Sequence, residues 1–186
     1  MCNAGFINSF IPQKNKIMSV ANFFQKDSYV SNTSRSVISG FIGGLAGTAV
    51  KTLIEQVLPV REIDQKSSQM KIVDDLSTKI TGSPVSTHNE ALAEQLVNIP
   101  MGGSLGAAYG YGKKNRFGLK PMDGIIFGAT TWASTHETSL PILGLEPKPT
   151  DVPVRMQINE LFAHVAFGVT TELVRHYIDK QLRERN

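Results

Sequence analysis

The sequence predicts an all-α protein, a four-helix transmembrane bundle with glycine-rich helix interfaces. Three observations predict it. One is a glycine-studded apolar run at Ser36–Glu55. The second is a set of three further apolar segments with small residues four apart. The third is a one-sided distribution of basic residues between these segments.

In Ser36–Glu55 (SVISGFIGGLAGTAVKTLIE), Gly40, Gly43, Gly44, Gly47 and Ala46 share an otherwise apolar stretch. At roughly 100° per residue, Gly40, Gly44, Gly47, Lys51 and Glu55 fall within an arc of about 80° on a helix. Each glycine costs a water-exposed helix about 1 kcal/mol. In a bilayer the same pattern lets helix backbones approach closely. Lys51 and Glu55 then point into the bundle rather than at lipid.

The first span is expected at about residues 37–57 and ends at Pro59. The second covers about 91–111, with Gly102, Gly106 and Gly110 spaced by four. Its first half carries Glu94, Gln95, Asn98 and Pro100, so either the span begins later or its polar face is covered by other helices. The third covers about 123–143, with Gly124 and Gly128 four apart and a break at Pro141. The fourth covers about 158–178. A polar loop (Arg61–Glu90), a basic turn (Gly112–Pro121) and a proline-rich loop (Gly144–Pro153) connect them.

Domain organisation follows: a polar arm at 1–36, a membrane domain at 37–178 and a basic tail at 179–186. Met18 is a second candidate initiator. With Arg175, near the end of the fourth span, counted to the C-terminal region, Lys and Arg outside the spans divide twelve against six, the larger share in the arm, the 112–121 turn and that region. By the positive-inside rule both termini are cytoplasmic, in a bacterial inner membrane. Against this stand a mean hydropathy of −0.10 and the absence of a long uninterrupted apolar run. Cys2 is the single cysteine, which excludes an intrachain disulfide and a cysteine-based metal site.

The run from Gly124 to Val154 (GIIFGATTWASTHETSLPILGLEPKPTDVPV) and that from Asn159 to His176 (NELFAHVAFGVTTELVRH) resemble the YagU family of bacterial inner-membrane proteins. The positions that carry the resemblance are His136, Ser139, Pro141, Gly144, Leu145, Pro147, Glu160, Phe162, His164, Glu172 and Arg175. Lys51, Glu55, Pro59 and Arg61 fit the opening helix. The resemblance implies a multi-pass membrane protein and no assigned biochemical activity.

Glu160, His164, Thr171 and Arg175 lie within about 60° of one another on one helix, with Glu172 on an adjoining face. His136 and Glu137 come from the third span, Lys51 and Glu55 from the first. Two readings of these residues stand side by side. In one, His164 and His136 exchange protons with Glu160 and Glu172, because histidine titrates near neutrality. In the other, Lys51–Glu55 and Glu172–Arg175 are structural pairs and the histidines bond to carbonyls.

No metal is expected. Glu160/His164 and Glu172/His176 each share a helix face, and with His136 added a site is conceivable, but a zinc site needs three or four converging ligands. Nucleotide loops are excluded, since Gly40–Lys51 fits neither phosphate-binding glycine spacing. The basic turn with Tyr111 and Phe117 suits lipid headgroups, and no nucleic acid is expected. No nucleophile with a matched base is recognisable, so no enzyme and no cofactor is expected. Tyr109 and Trp132 read as packing or interfacial anchors.

The expected partners are the lipid bilayer and a second copy of the chain. Two overlapping stripes, Gly40/Gly44 and Gly43/Gly47, offer more glycine surface than one bundle was expected to cover. The functional expectation is an integral membrane protein with a structural or interaction role and a polar core responsive to protons. The alternatives are a small transporter or channel subunit with a Glu160/His164/Glu172 path, and a soluble helical binding module.

Overall fold

The computed structural model describes residues 31–62, 65–116 and 118–184. The expected arm lies outside the described residues up to position 30. Among the described residues there is no strand, and five helices have fourteen residues or more: α1 (Asn32–Val57), α2 (Ser68–Thr81), α3 (Glu90–Gly112), α4 (Pro121–Ser134) and, after the short α5 (Leu140–Ile142), α6 (Val154–Glu184).

Several boundaries differ from expectation for local reasons. Helix α1 starts five residues earlier than expected, because Ser31 Oγ accepts the Ser34 amide at 3.1 Å and caps it. The C-terminal tail is helical as far as Glu184. The expected polar loop 61–90 contains α2, capped at its start by Ser67 Oγ on the Met70 amide. Gly82 ends it with φ +79°, in the left-handed region. Ile72, Leu76 and Ile80 recur every four residues along α2, a helical period that the surrounding polar residues concealed.

Pro141 does not break the third segment where it stands. The backbone widens into a π-turn at Thr135–Ser139, in which the Leu140 amide reaches Thr135 O five residues back. Thr138 Oγ1 and Ser139 Oγ donate to Ala133 O and Ser134 O, also five back, at 2.9 and 2.6 Å. The register shift thus absorbs the proline before it is reached, and it lies where His136 enters the core.

Backbone contact through glycine holds the bundle together. On α1, Gly40, Gly44 and Thr48 face Gly102, Gly106 and Gly110 of α3. The other stripe of α1, Gly43 and Gly47, meets Thr171 O and Phe167 O of α6; a Cβ there would lie 2.5 and 2.6 Å from those atoms. Helix α4 meets α6 through Gly124 and Gly128 against Gly168 and the His164–Val165 backbone. Tyr109 of α3 stacks on Phe127 of α4 with ring centroids 4.3 Å apart and so closes the ring of helices. Each pair runs antiparallel, as the order of these contacts along the two chains requires. Both stripes of α1 are therefore filled from within the chain.

Burial is inverted relative to a water-soluble bundle. Glu172 and Arg175 are 1 % and 2 % exposed, whereas Val57 and Ile142 are 79 % and 78 % exposed. Arg35, Ser36, Ser39, Thr131, Glu160, His164, Thr171 and Asp179 are buried with them, while buried apolar side chains are limited to Met70, Ala93, Ala163 and Phe167 among the described residues. Among the described residues one helix, Asn32–Val57, is by itself long and apolar enough to cross a membrane.

Candidate functional site, a histidine–glutamate chamber

At the end of the bundle formed by the C-terminus of α1, the π-turn and the start of α6, five ionisable side chains converge. Lys51 and Glu55 are one helical turn apart on α1 and pair with each other. Lys51 Nζ also lies 3.4 Å from Glu160 Oε1 of α6. The π-turn brings His136 Nε2 to 3.2 Å from the same oxygen. His164, one turn along α6, places Nδ1 3.4 Å from Glu160 Oε1 and 3.0 Å from the Glu160 carbonyl oxygen. The two imidazoles meet edge to face at 4.9 Å.

Glu146, from the loop after α5, completes the group. Its Oε2 accepts from His136 Nδ1 at 2.8 Å, and its Oε1 takes the Ser68 hydroxyl at the start of α2. Burial pushes the Glu146 carboxyl up, but the hydrogen bonds from His136 and Ser68 and the Arg61 charge outweigh it and hold it below the usual range. The carboxylate sits between hydroxyl and imidazole. Ser68 therefore has no imidazole base, and the trio is no nucleophile triad. Lys71 Nζ bonds to Leu145 O at 2.7 Å and fastens α2 across the same loop.

Two cavities of about 70 Å³ each meet at Lys51, Ser68, Gln69 and His136. Trp132, Glu137, Gln157 and Glu160 line one of them; Thr48, Asn98, Thr131, His164 and Phe167 line the other. Of the polar face of α3, Asn98 lines the second of these cavities, while Glu94, 3.4 Å from Arg61 Nη1, borders a separate one together with Gln95.

A second polar cluster lies towards the other end. Arg175 grips Glu172 through Nε and Nη2 at 2.7 and 2.8 Å. Tyr109 donates its hydroxyl to Glu172 Oε2 at 3.0 Å, and the Lys120 amide reaches Oε1 at 3.2 Å. Tyr109 is thus a hydrogen-bond partner as well as the packing residue expected from sequence. Near the helix termini, Arg35 Nε holds Asp179 Oδ1 at 2.8 Å, and Arg183 holds the other oxygen.

Among the expected network residues, the structure brings together Lys51, Glu55, His136, Glu160 and His164. Glu172 and Arg175 stand apart from them, since twelve residues of helix separate Glu172 from Glu160 by about 18 Å. A four-member relay that includes Glu172 therefore does not form. Glu137 lines a cavity but joins none of the pairs. Sequence reasoning missed Glu146, Ser68, Arg35 and Asp179. The first two come from loop and α2, and no helical period links them to the histidines; Arg35 and Asp179 were assigned to the arm and the tail.

Asp179 gives an expected pH effect. Burial raises its carboxyl, but the Arg35 and Arg183 hydrogen bonds and charges outweigh that and depress it overall. A depressed folded value means that stability is present above the unfolded carboxyl value of about 3.9 and is lost as pH falls through the folded one. Melting temperatures measured from pH 6 down to 3 should fall, and Asp179→Asn should start lower and fall less over the same range. Equal slopes for both proteins would remove Asp179 as a source of acid sensitivity.

Glycine-packed helices that turn histidine, glutamate and arginine inward and leucine and isoleucine outward define a class of helical protein built around a polar interior. Within that class, the chain belongs to a family of proteins of unknown function (DUF1440), whose model matches residues 45–173. The match takes in Lys51, Glu55, His136, Glu146, Glu160, His164 and Glu172. The match names that family and does not bear on the resemblance to YagU proteins. No curated protein and no solved structure matches the chain.

Proposed function

We propose that this chain is an integral inner-membrane protein whose α1, α3, α4 with α5, and α6 cross the bilayer. Both termini are cytoplasmic, and a binding chamber opens towards the opposite face. Its role is interaction or solute binding without catalysis.

The inverted burial carries this reading. In water, an outer surface bearing Leu53, Val57, Leu92, Leu96, Ile126, Ile142, Ile158 and Phe162 would be an aggregation liability. The buried ion pairs would recover little of their desolvation penalty. In lipid both features are favourable, because apolar side chains face hydrocarbon and charged ones pair inside the bundle. Linear hydropathy under-scores such helices, since it averages the inward Glu160, His164, Glu172 and Arg175 with the outward residues of α6. Pro121 to Ile142 and the full lengths of α3 and α6 exceed the about 20 residues that a crossing needs. The resemblance to YagU proteins agrees with this placement.

A transporter path through Glu160, His164 and Glu172 is the weaker reading. Ala163, Phe167 and Thr171 are buried on α6 between the two polar clusters, and about 18 Å of helix separates Glu172 from Glu160.

Retention in the membrane fraction after alkaline carbonate washing is the expected result. Reporter fusions after Lys114 and at the C-terminus should report cytoplasm, and those after Gly82 and Lys148 the far side. Release into the carbonate supernatant, or four cytoplasmic reporters, would overturn the proposal and favour a soluble binding module.

A further inference from the structure

The geometry points to a divalent transition-metal site, of the kind that takes Zn²⁺, formed by His136, Glu160 and His164 with Glu146 as its outer support. One donor atom from each of the three lies within 4.8 Å of the other two. A tetrahedral zinc ion with bonds of about 2.0–2.2 Å sets its ligands about 3.3 Å apart. The distance from Glu160 Oε1 to His136 Nε2, 3.2 Å, already has that scale.

The hydrogen bonds around the histidines are a second, independent indication. His136 Nδ1 faces the Glu146 carboxylate at 2.8 Å, and His164 Nδ1 faces the Glu160 carbonyl at 3.0 Å. Both partners can only accept, so each Nδ1 is the N–H donor and coordination falls to Nε2. A carboxylate or carbonyl behind the ring is the usual support of a metal-ligating histidine, and it fixes both tautomer and orientation. His136 with Glu146 reproduces the carboxylate–histidine half of that arrangement.

Charge points the same way. Three carboxylates (Glu55, Glu146 and Glu160) lie in or beside the chamber, against two fixed cations, Lys51 and Arg61. A divalent ion would offset the remaining negative charge. Lys51 now occupies the cation's side of Glu160, 3.4 Å from Oε1, and is also paired with Glu55. On metal binding Lys51 swings fully to Glu55 and frees the Glu160 oxygen. The chamber supplies three protein ligands and leaves a fourth position facing the cavity lined by Trp132 and Gln157. That makes it an open site rather than a closed structural one.

The site requires only the folded chain and does not depend on the lipid placement proposed above, so the two can fail separately. The test is calorimetric titration of the purified full chain in detergent with Zn²⁺, and with Co²⁺ followed by visible absorption. One ion per chain is expected, with tetrahedral Co²⁺ bands. His164→Ala and Glu160→Gln should each weaken binding at least a hundredfold, and Glu146→Gln about ten- to a hundredfold. Lys51→Met should strengthen it several-fold, because the competing ammonium is gone. That gain is the opposite of what loss of a structural ion pair would produce. Melting curves without metal establish which variants are folded. Should a histidine variant fail to fold, Lys51→Met and Glu146→Gln decide the matter. Absence of binding by the folded parent protein would overturn the site. So would binding that His164→Ala leaves unchanged, as at an exposed histidine such as His88.

Discussion

Valine in place of Gly44 or Gly106 should abolish the folded bundle. A Cβ on Gly44 would overlap Gly102 O and lie 2.9 Å from Gly106 Cα, and one on Gly106 would overlap Gly40 O. The obstructing atoms are backbone, so no rotamer change on the neighbour relieves the clash. Overpacking where side chains can yield typically costs about 1–3 kcal/mol. Here α1 and α3 must separate along the whole face, which places the effect at the top of that range or beyond. Gly112→Ala is the matched control, because nothing lies within 4 Å of a Cβ there. The measurement is thermal melting of the detergent-solubilised protein beside recovered yield. A Gly44→Val protein that melts with the parent would mean that the two helices are not in backbone contact.

The second large effect is expected at Glu172 and Arg175. Arg175→Met leaves a carboxylate almost fully buried with only the Tyr109 hydroxyl and the Lys120 amide against it. Breaking one member of a buried pair typically costs about 3–5 kcal/mol, because the other charge is stranded. Glu172→Leu strands the guanidinium in the same way. The double variant removes both charges and should recover most of the loss, since apolar replacement of a buried pair is often neutral. Tyr109→Phe removes a single bond to a charged acceptor and should cost about 1.5 kcal/mol. A double-mutant cycle on equilibrium unfolding reads the coupling directly. If the double variant were as unstable as the sum of the two singles, the residues would be acting independently and the pair would not be the source of stability.

The glycine positions show what was legible in the sequence and what was not. Four-residue spacing on a helix is a local property, so Gly40/Gly44, Gly43/Gly47, Gly102/Gly106 and Gly124/Gly128 could be read as packing faces without knowing their neighbours. Which helix each face meets is a non-local matter. The sequence suggested that one bundle would leave a stripe of α1 uncovered, whereas α3 and α6 take one stripe each. Helix α2 was missed for the opposite reason. Its Ile72, Leu76 and Ile80 are present at helical period, but the segment between Arg61 and Glu90 is polar enough on average to hide them.

The candidate site divides in the same way. Lys51 with Glu55, Glu160 with His164 and Glu172 with Arg175 are three or four residues apart, so their pairing follows from helical geometry alone. Periodicity also put Glu160 and Arg175 on one arc, and that arc runs the length of α6 past two separate clusters. An angular coincidence says nothing about depth. The π-turn that aims His136 at Glu160 depends on hydroxyls and a proline acting together over several residues, and Glu146 reaches His136 from a loop.

By itself the sequence determined the four glycine-bearing helices, their small-residue faces and the intrahelical ion pairs, because each depends on side chains within one or two turns. Tertiary structure alone decided which helix each glycine face meets, that the histidines meet, and that Glu146 stands behind one of them. Those facts depend on how helices distant in sequence are set against one another, and residue spacing along a single helix carries no record of that.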